Sequence, residues 1–271
     1  MTYLLVNADD FGYTRDVNAG IVEGYKHGIV RSTTLMANGG AFHDAVRLAH
    51  ENPGLDIGCH LVLIEGAGLP HSHWNMIRGT LSGTIDPYAI FRAQIEKIIA
   101  AGIRPTHLDT HKHTHLWPPV LKAVAELGEE FQIPWIRRPF DIPLEYWGSK
   151  KKRWFTRASR PTARYFDSVI RRHKCRTTTN FMGFAITGRF NLAGVVRLMN
   201  QLPEGSIEFM CHPGHCTNEL RSMPTHLKES RAEELRVLTS PEIRAAISRP
   251  GIKLVNYQEL CEISTAFSPE S

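Results

Sequence analysis

Four short segments carry side chains able to bind a divalent ion or move a proton. They are Asn7-Ala8-Asp9-Asp10-Phe11-Gly12, Gly58-Cys59-His60-Leu61, the run from Thr106 through Asp109, His111 and His113 to His115, and Cys211-His212-Pro213-Gly214-His215. Carboxylates and imidazoles together are the donors a borderline-hard divalent ion takes. On a strand, His111, His113 and His115 would share one face with Asp109, and such clustered imidazoles are costly unless a metal or hydrogen-bonding partners use them. One of the three suffices as a ligand, leaving the others to meet substrate or to orient the ligands. Each segment alone has an ordinary reading: a turn and helix cap for Asp9-Asp10, a hydrogen-bonded core histidine for His60, a loop residue for His212. Their joint placement argues for chemistry.

That placement comes from the elements around them. β-branched runs recur at Tyr3–Ala8, Ser32–Ala37, Asp56–Leu63, Thr106–Thr110, Trp135–Arg138, Thr178–Met182, Ile207–Cys211 and Ile252–Asn256. Helical patterns lie between them. Val17, Ile21 and Tyr25 form one apolar stripe, and Pro87–Ala101 opens on proline with Gly102 just beyond. Ala41–Glu51, Pro118–Glu130, Leu192–Gln201 and Glu229–Leu238 read similarly. Alternating strands and helices, with strands apolar on both faces, predict an α/β fold with a parallel sheet. About eight strands favour a single distorted (β/α) TIM-like barrel, in which functional groups collect at the C-terminal strand ends. Four of those ends present the segments above. No Gly-x-Gly-x-x-Gly fingerprint follows the first strand, which argues against a dinucleotide fold.

The 271 residues fit one barrel domain, 1–271, interrupted by a basic insertion at about 139–176. Residues 137–176 hold thirteen Lys/Arg against three Asp/Glu, whereas the whole chain is only +5. The sequence contains no apolar run of about 20 residues, and its start turns acidic too early for a signal peptide, so a cytoplasmic location is expected. Five scattered cysteines without a Cys-x-x-Cys pair point to reduced thiols; Cys211, His212, His215 and Cys216 match no common structural zinc spacing. Gly-x-Ser-x-Gly, His-Glu-x-x-His and P-loop patterns are absent, which removes the usual support for serine hydrolases, zincins and nucleotide-binding proteins. Two histidines and a carboxylate also occur in non-haem iron oxygenases, but those keep the first histidine and the carboxylate close together on a β-rich scaffold.

Taken in order, the four segments with Ser32-Thr33-Thr34 and Asn38-Gly39 resemble the YdjC-like carbohydrate deacetylases. That family includes chitooligosaccharide deacetylases and hopanoid-biosynthesis-associated deacetylases. The resemblance implies a distorted barrel holding one divalent metal ion, magnesium or zinc, with Asp10, His60 and His111 as ligands. It implies Asp9 as general base and His212 as general acid, with Phe11, His113 and His115 near the substrate. The implied reaction is removal of an N-acetyl group from an acetylated sugar, with release of acetate. Lys112 stands where close relatives often have another histidine. Cations and aromatics interleave from Lys150 to Arg172. That pattern allows a basic-patch binding protein, on nucleic acid or a membrane, as the alternative function. The segment also reads as a solvated or subunit-contacting insertion; among functional readings of it, docking on an anionic membrane surface is preferred, since the resemblance includes relatives linked to hopanoid, hence lipid-borne, sugar substrates. No nucleic-acid partner is expected, and a homodimer is the default for an enzyme of this size.

Overall fold

The computed structural model describes residues 1–142 and 160–266. Its strands are β1 (Thr2–Phe11), β2 (Ser32–Leu35), β3 (Asp56–Leu61), β4 (His107–Thr110), β5 (Trp135–Ile136), β6 (Asn180–Met182), β7 (Gly205–Cys211) and β8 (Ile252–Val255). Every pairing between them is parallel. The sheet runs β5-β4-β3-β2-β1-β7-β6. It curls, and bridges from Trp135 to Arg176 and from Asp141 to Phe181 link its two ends. The expected distorted TIM-like barrel is thus the fold observed. Its distortion lies at β1. Thr2–Leu5 pair with β8, Asn7–Phe11 with β2 on that same edge, and Thr2–Ala8 with β7 on the other.

Helices cover the outside, and their caps explain where they begin. Thr14 accepts from the Val17 amide to start Arg15–His27, and Asp86 accepts from the Tyr88 and Ala89 amides to start Pro87–Ala100. Pro118–Glu130 and Glu229–Leu238 span the residues that the sequence pattern predicts. Helix Arg160–Arg172 lies inside the segment read as a basic insertion. It buries Phe166, Val169 and Ile170 while Arg164, Arg171 and Arg172 stay exposed, so this part is packed structure. The cation and aromatic run from Lys150 to Arg157 lies outside the described residues. Among the described residues, no helix is long and apolar enough to cross a membrane.

Two departures reshape the site. The run His111–Leu116 does not continue β4; it is a 3-10 turn in which Lys112 and His113 have φ of 53°. The three alternating histidines therefore do not share a strand face, because two left-handed residues turn the chain after Thr110. The second departure is a close approach. A Cβ on Gly20 would sit 2.4 Å from the Gly214 Cα, so the loop after β7 presses on the first helix. Gly20→Ala is expected to cost about 1–3 kcal/mol by overpacking and to displace the segment carrying His212. Denaturant unfolding of the variant checks this, and a midpoint equal to wild type would contradict it.

Candidate metal and catalytic site

Successive residues on a strand point to opposite faces, so Asp9 and Asp10 could not both face the barrel mouth on a regular β1. The register against β2 shows how they do. Ala8 aligns with Thr33 but Phe11 with Leu35, which leaves one extra residue in β1. Asp10 takes φ of 71° within this bulge, a region open to aspartate at some cost. Its Oδ1 then lies 3.2 Å from His60 Nε2 of β3 and 3.4 Å from His111 Nδ1 just beyond β4. The two ring nitrogens are themselves 3.2 Å apart.

Three lone-pair donors at such spacing repel one another unless a cation or a proton stands among them. The residues around them enforce that demand. His60 Nδ1 lies 2.7 Å from Asp109 Oδ1, and the Thr34 hydroxyl donates to Asp109 Oδ2 at 3.1 Å. This fixes the ring so that Nε2 faces Asp10, the outer-sphere arrangement typical of metal-bound histidine. Burial alone would make His60 less basic, but Asp109, Asp10 and Asp9 outweigh it and push its pKa up to about 10. The pocket thus favours positive charge at this point, which fits a divalent ion on Asp10, His60 and His111. A second set, Asp9, His60 and Asp109, also clusters. There, however, Arg137 already pairs with both carboxylates.

Asp9 is held differently from its neighbour. Arg137 donates two hydrogen bonds of 2.6 Å to its carboxylate, and the Asn7 amide donates a third at 3.0 Å. The same guanidinium pairs with Asp109 at 2.6 Å and Glu208 at 2.7 Å, all fully buried. Burial raises the Asp9 pKa, yet the charge and hydrogen bonds of Arg137 win and hold it well below the usual carboxylate range. Glu208 goes the other way, to about 7, because burial outweighs its share of Arg137. Asp10 is also kept ionised, with Arg231 Nη2 on its Oδ2 at 2.5 Å. Opposite, His212 Nε2 is 3.8 Å from Asp9 Oδ2. Glu234 accepts from the His212 backbone amide at 2.5 Å, and the ring's Nδ1 is buried without a partner. Burial pushes the His212 pKa down to about 4, so the ring is neutral at neutral pH.

The remaining expected residues are placed as follows. Phe11 is fully buried. His115 is too, with Nδ1 on the Thr110 hydroxyl at 2.5 Å and Nε2 3.0 Å from the Arg137 carbonyl oxygen. It holds the backbone that carries Arg137. His113 is almost buried, with Nδ1 unpartnered and its ring edge-on to Phe184. Lys112 is on the rim, paired with Glu65. Sequence reasoning missed Arg137, Arg231, Glu208 and Glu234. Arg137 did carry a signal: it falls at the C-terminal end of a predicted strand. Glu208 did too, as the one charge inside the predicted apolar strand Ile207–Cys211, whereas nothing local marks Arg231 and Glu234.

A profile of the YdjC-like protein family matches residues 3–249, nearly the whole barrel and every residue of the site above. The chain belongs to the YdjC-like family. Among YdjC-like relatives, a carbohydrate deacetylase of Clostridium beijerinckii is 34% identical, covering 95% of this chain and 99% of that one. A chitooligosaccharide deacetylase of Serratia marcescens is 30% identical over 95% of this chain and 98% of its own. A solved structure from Enterococcus faecalis V583, assigned to cellobiose-phosphate cleavage, superposes with a TM-score of 0.77 at 26% identity, covering 96% of this chain and 98% of that one.

Proposed function

We propose that this YdjC-like protein is a metal-dependent carbohydrate deacetylase, which hydrolyses the acetamide of an acetylated amino sugar to acetate and a free amine. The observation that carries this is the triangle of Asp10 Oδ1, His60 Nε2 and His111 Nδ1 beside the Asp9–His212 pair. The deacetylase relatives support the reaction class. Three protein ligands leave coordination positions open, as catalytic sites do. Zinc and magnesium are both taken as candidates for the physiological ion. When bound, such an ion supplies polarisation of the acetamide carbonyl and acidification of water.

The chain's own residues then divide the proton work. Arg231 occupies Asp10 Oδ2, so Oδ1 is the oxygen left to face the ring nitrogens. Asp9, fixed by Arg137, accepts the proton of the attacking water. A carboxylate held at such low basicity does not keep it. His212 Nε2, neutral at rest and 3.8 Å away, receives the proton and delivers it to the departing nitrogen. His212 is thus charged only in transit, and one proton travels from water to amine.

The test is acetate release from N-acetylated sugars by protein stripped with chelator and reloaded with single divalent ions. Release should depend on the ion. His60→Ala and His111→Ala should each lose the bound ion, measured as metal per chain after dialysis. Full occupancy in either variant would remove it from the ligand set, and no bound ion in wild type would end the proposal.

A further inference from the structure

Phe184 is 54% exposed at the mouth of the barrel, an unusual place for an aromatic ring without a polar handle. It is also held firmly. The Phe184 and Ala185 amides donate to the two Asp141 carboxylate oxygens at 3.2 and 2.6 Å, which pins the short turn Phe184–Ile186. Gly183, at φ of 126°, lets that turn close on β7: a Cβ there would stand 2.3 Å from the Met210 carbonyl oxygen, two residues before His212. Beneath Phe184 the His113 ring packs edge-on, with centroids 5.0 Å apart, and His113 in turn meets Phe181 at 6.0 Å. Arg137, the partner of Asp9, lies over Phe181 at 5.7 Å. A chain of contacts from Arg137 through Phe181 and His113 to Phe184 therefore leads outward from the base to an exposed aromatic ring. His113 packs between Phe181 and Phe184, so Phe184 stands one ring further out than His113.

Resting on the deacetylase reading above, we propose that Phe184 is a specificity-determining binding residue. Its ring is the platform for a second pyranose, the one linked to the sugar whose acetamide reacts. The hydrogen-bearing face of a pyranose is apolar, and a fixed aromatic ring binds it without having to be ordered first. Binding that second ring adds affinity for the linked sugar, a contact that a monosaccharide lacks.

The experiment uses the full-length, metal-loaded protein with N-acetylglucosamine and its β-1,4-linked disaccharide. Phe184→Ala should raise KM for the disaccharide about 10-fold, the size of one aromatic contact, with kcat within about twofold. KM for the monosaccharide should not move. Phe184→Tyr should restore the wild-type KM, while Phe184→Leu, which keeps bulk without the ring, should not. Equal KM changes for both sugars, or none for either, would overturn the platform. Saturation-transfer NMR supplies a readout free of turnover: protons of the disaccharide's non-reacting ring should receive saturation in wild type and lose it in Phe184→Ala and Phe184→Leu. If neither sugar is hydrolysed but this difference is seen, the platform stands and the reaction class falls. If both sugars turn over and the difference is missing, the platform alone falls.

Discussion

Asp9→Asn should retain the fold and the bound ion while losing roughly two to four orders of magnitude in acetate release, the usual size of general-base catalysis. The substitution is nearly isosteric, and Arg137 keeps two of its three carboxylates, Asp109 and Glu208. Asp10, the neighbour that belongs to the ligand triangle, is untouched. The effect therefore isolates proton removal from metal binding, although the two carboxylates are adjacent in sequence. The check is kcat at saturating metal beside metal stoichiometry on the same sample. Turnover within a few-fold of wild type would transfer the base role to His212, whose ring is already neutral.

Replacing Arg137 by methionine should have the largest effect on stability. One guanidinium, completely buried, compensates Asp9, Asp109 and Glu208 at 2.6–2.7 Å. Removing one partner of a buried ion pair typically costs about 3–5 kcal/mol, against a total stability of about 5–15 kcal/mol for a domain. The pH dependence should also change sign. In wild type the Asp9 pKa is depressed by Arg137, so its contribution is present above the unfolded carboxylate value and lost as pH falls towards the folded one. Without Arg137, burial dominates, as it already does for Glu208 at about 7. Asp9 and Glu208 then bind protons more tightly in the folded state, and lowering the pH towards 5 should stabilise the variant relative to wild type. Urea unfolding of both proteins at pH 8 and pH 5 measures this. A gap between them that stays constant with pH would mean that the loss is one of packing rather than of uncompensated charge.

These two residues mark what was legible in the sequence and what was not. The order of strands and helices was legible because apolar periodicity is a local property, and the four strand ends followed from it. Asp10, His60 and His111 meet in the structure because three parallel strands end together. The partners that set their charge were not legible in the same way. Arg231 reaches Asp10 across 221 positions and Glu208 reaches Arg137 across 71, so no window of sequence contains both members. The alternating histidines misled for a different reason. Their period matches a strand, but left-handed Lys112 and His113 break it, and neither residue type announces that conformation as glycine would. The β1 bulge was hidden too, since one extra residue shows only against a partner strand's register.

The seating of β1 has a bearing on the order in which the molecule is made. All three candidate ligands lie within the first 111 residues, yet the strand that carries Asp10 is flanked by β7 and, over its first half, by β8. During synthesis the interval between His111 and Val255 lasts roughly 7–30 s at ordinary elongation rates. Until β7 is made the strand that carries Asp10 lacks that neighbour entirely, and until β8 is made the first half of its other edge stays unpaired. A chain cut short before β7 would carry all three candidate ligands with one edge of the Asp10 strand still unpaired.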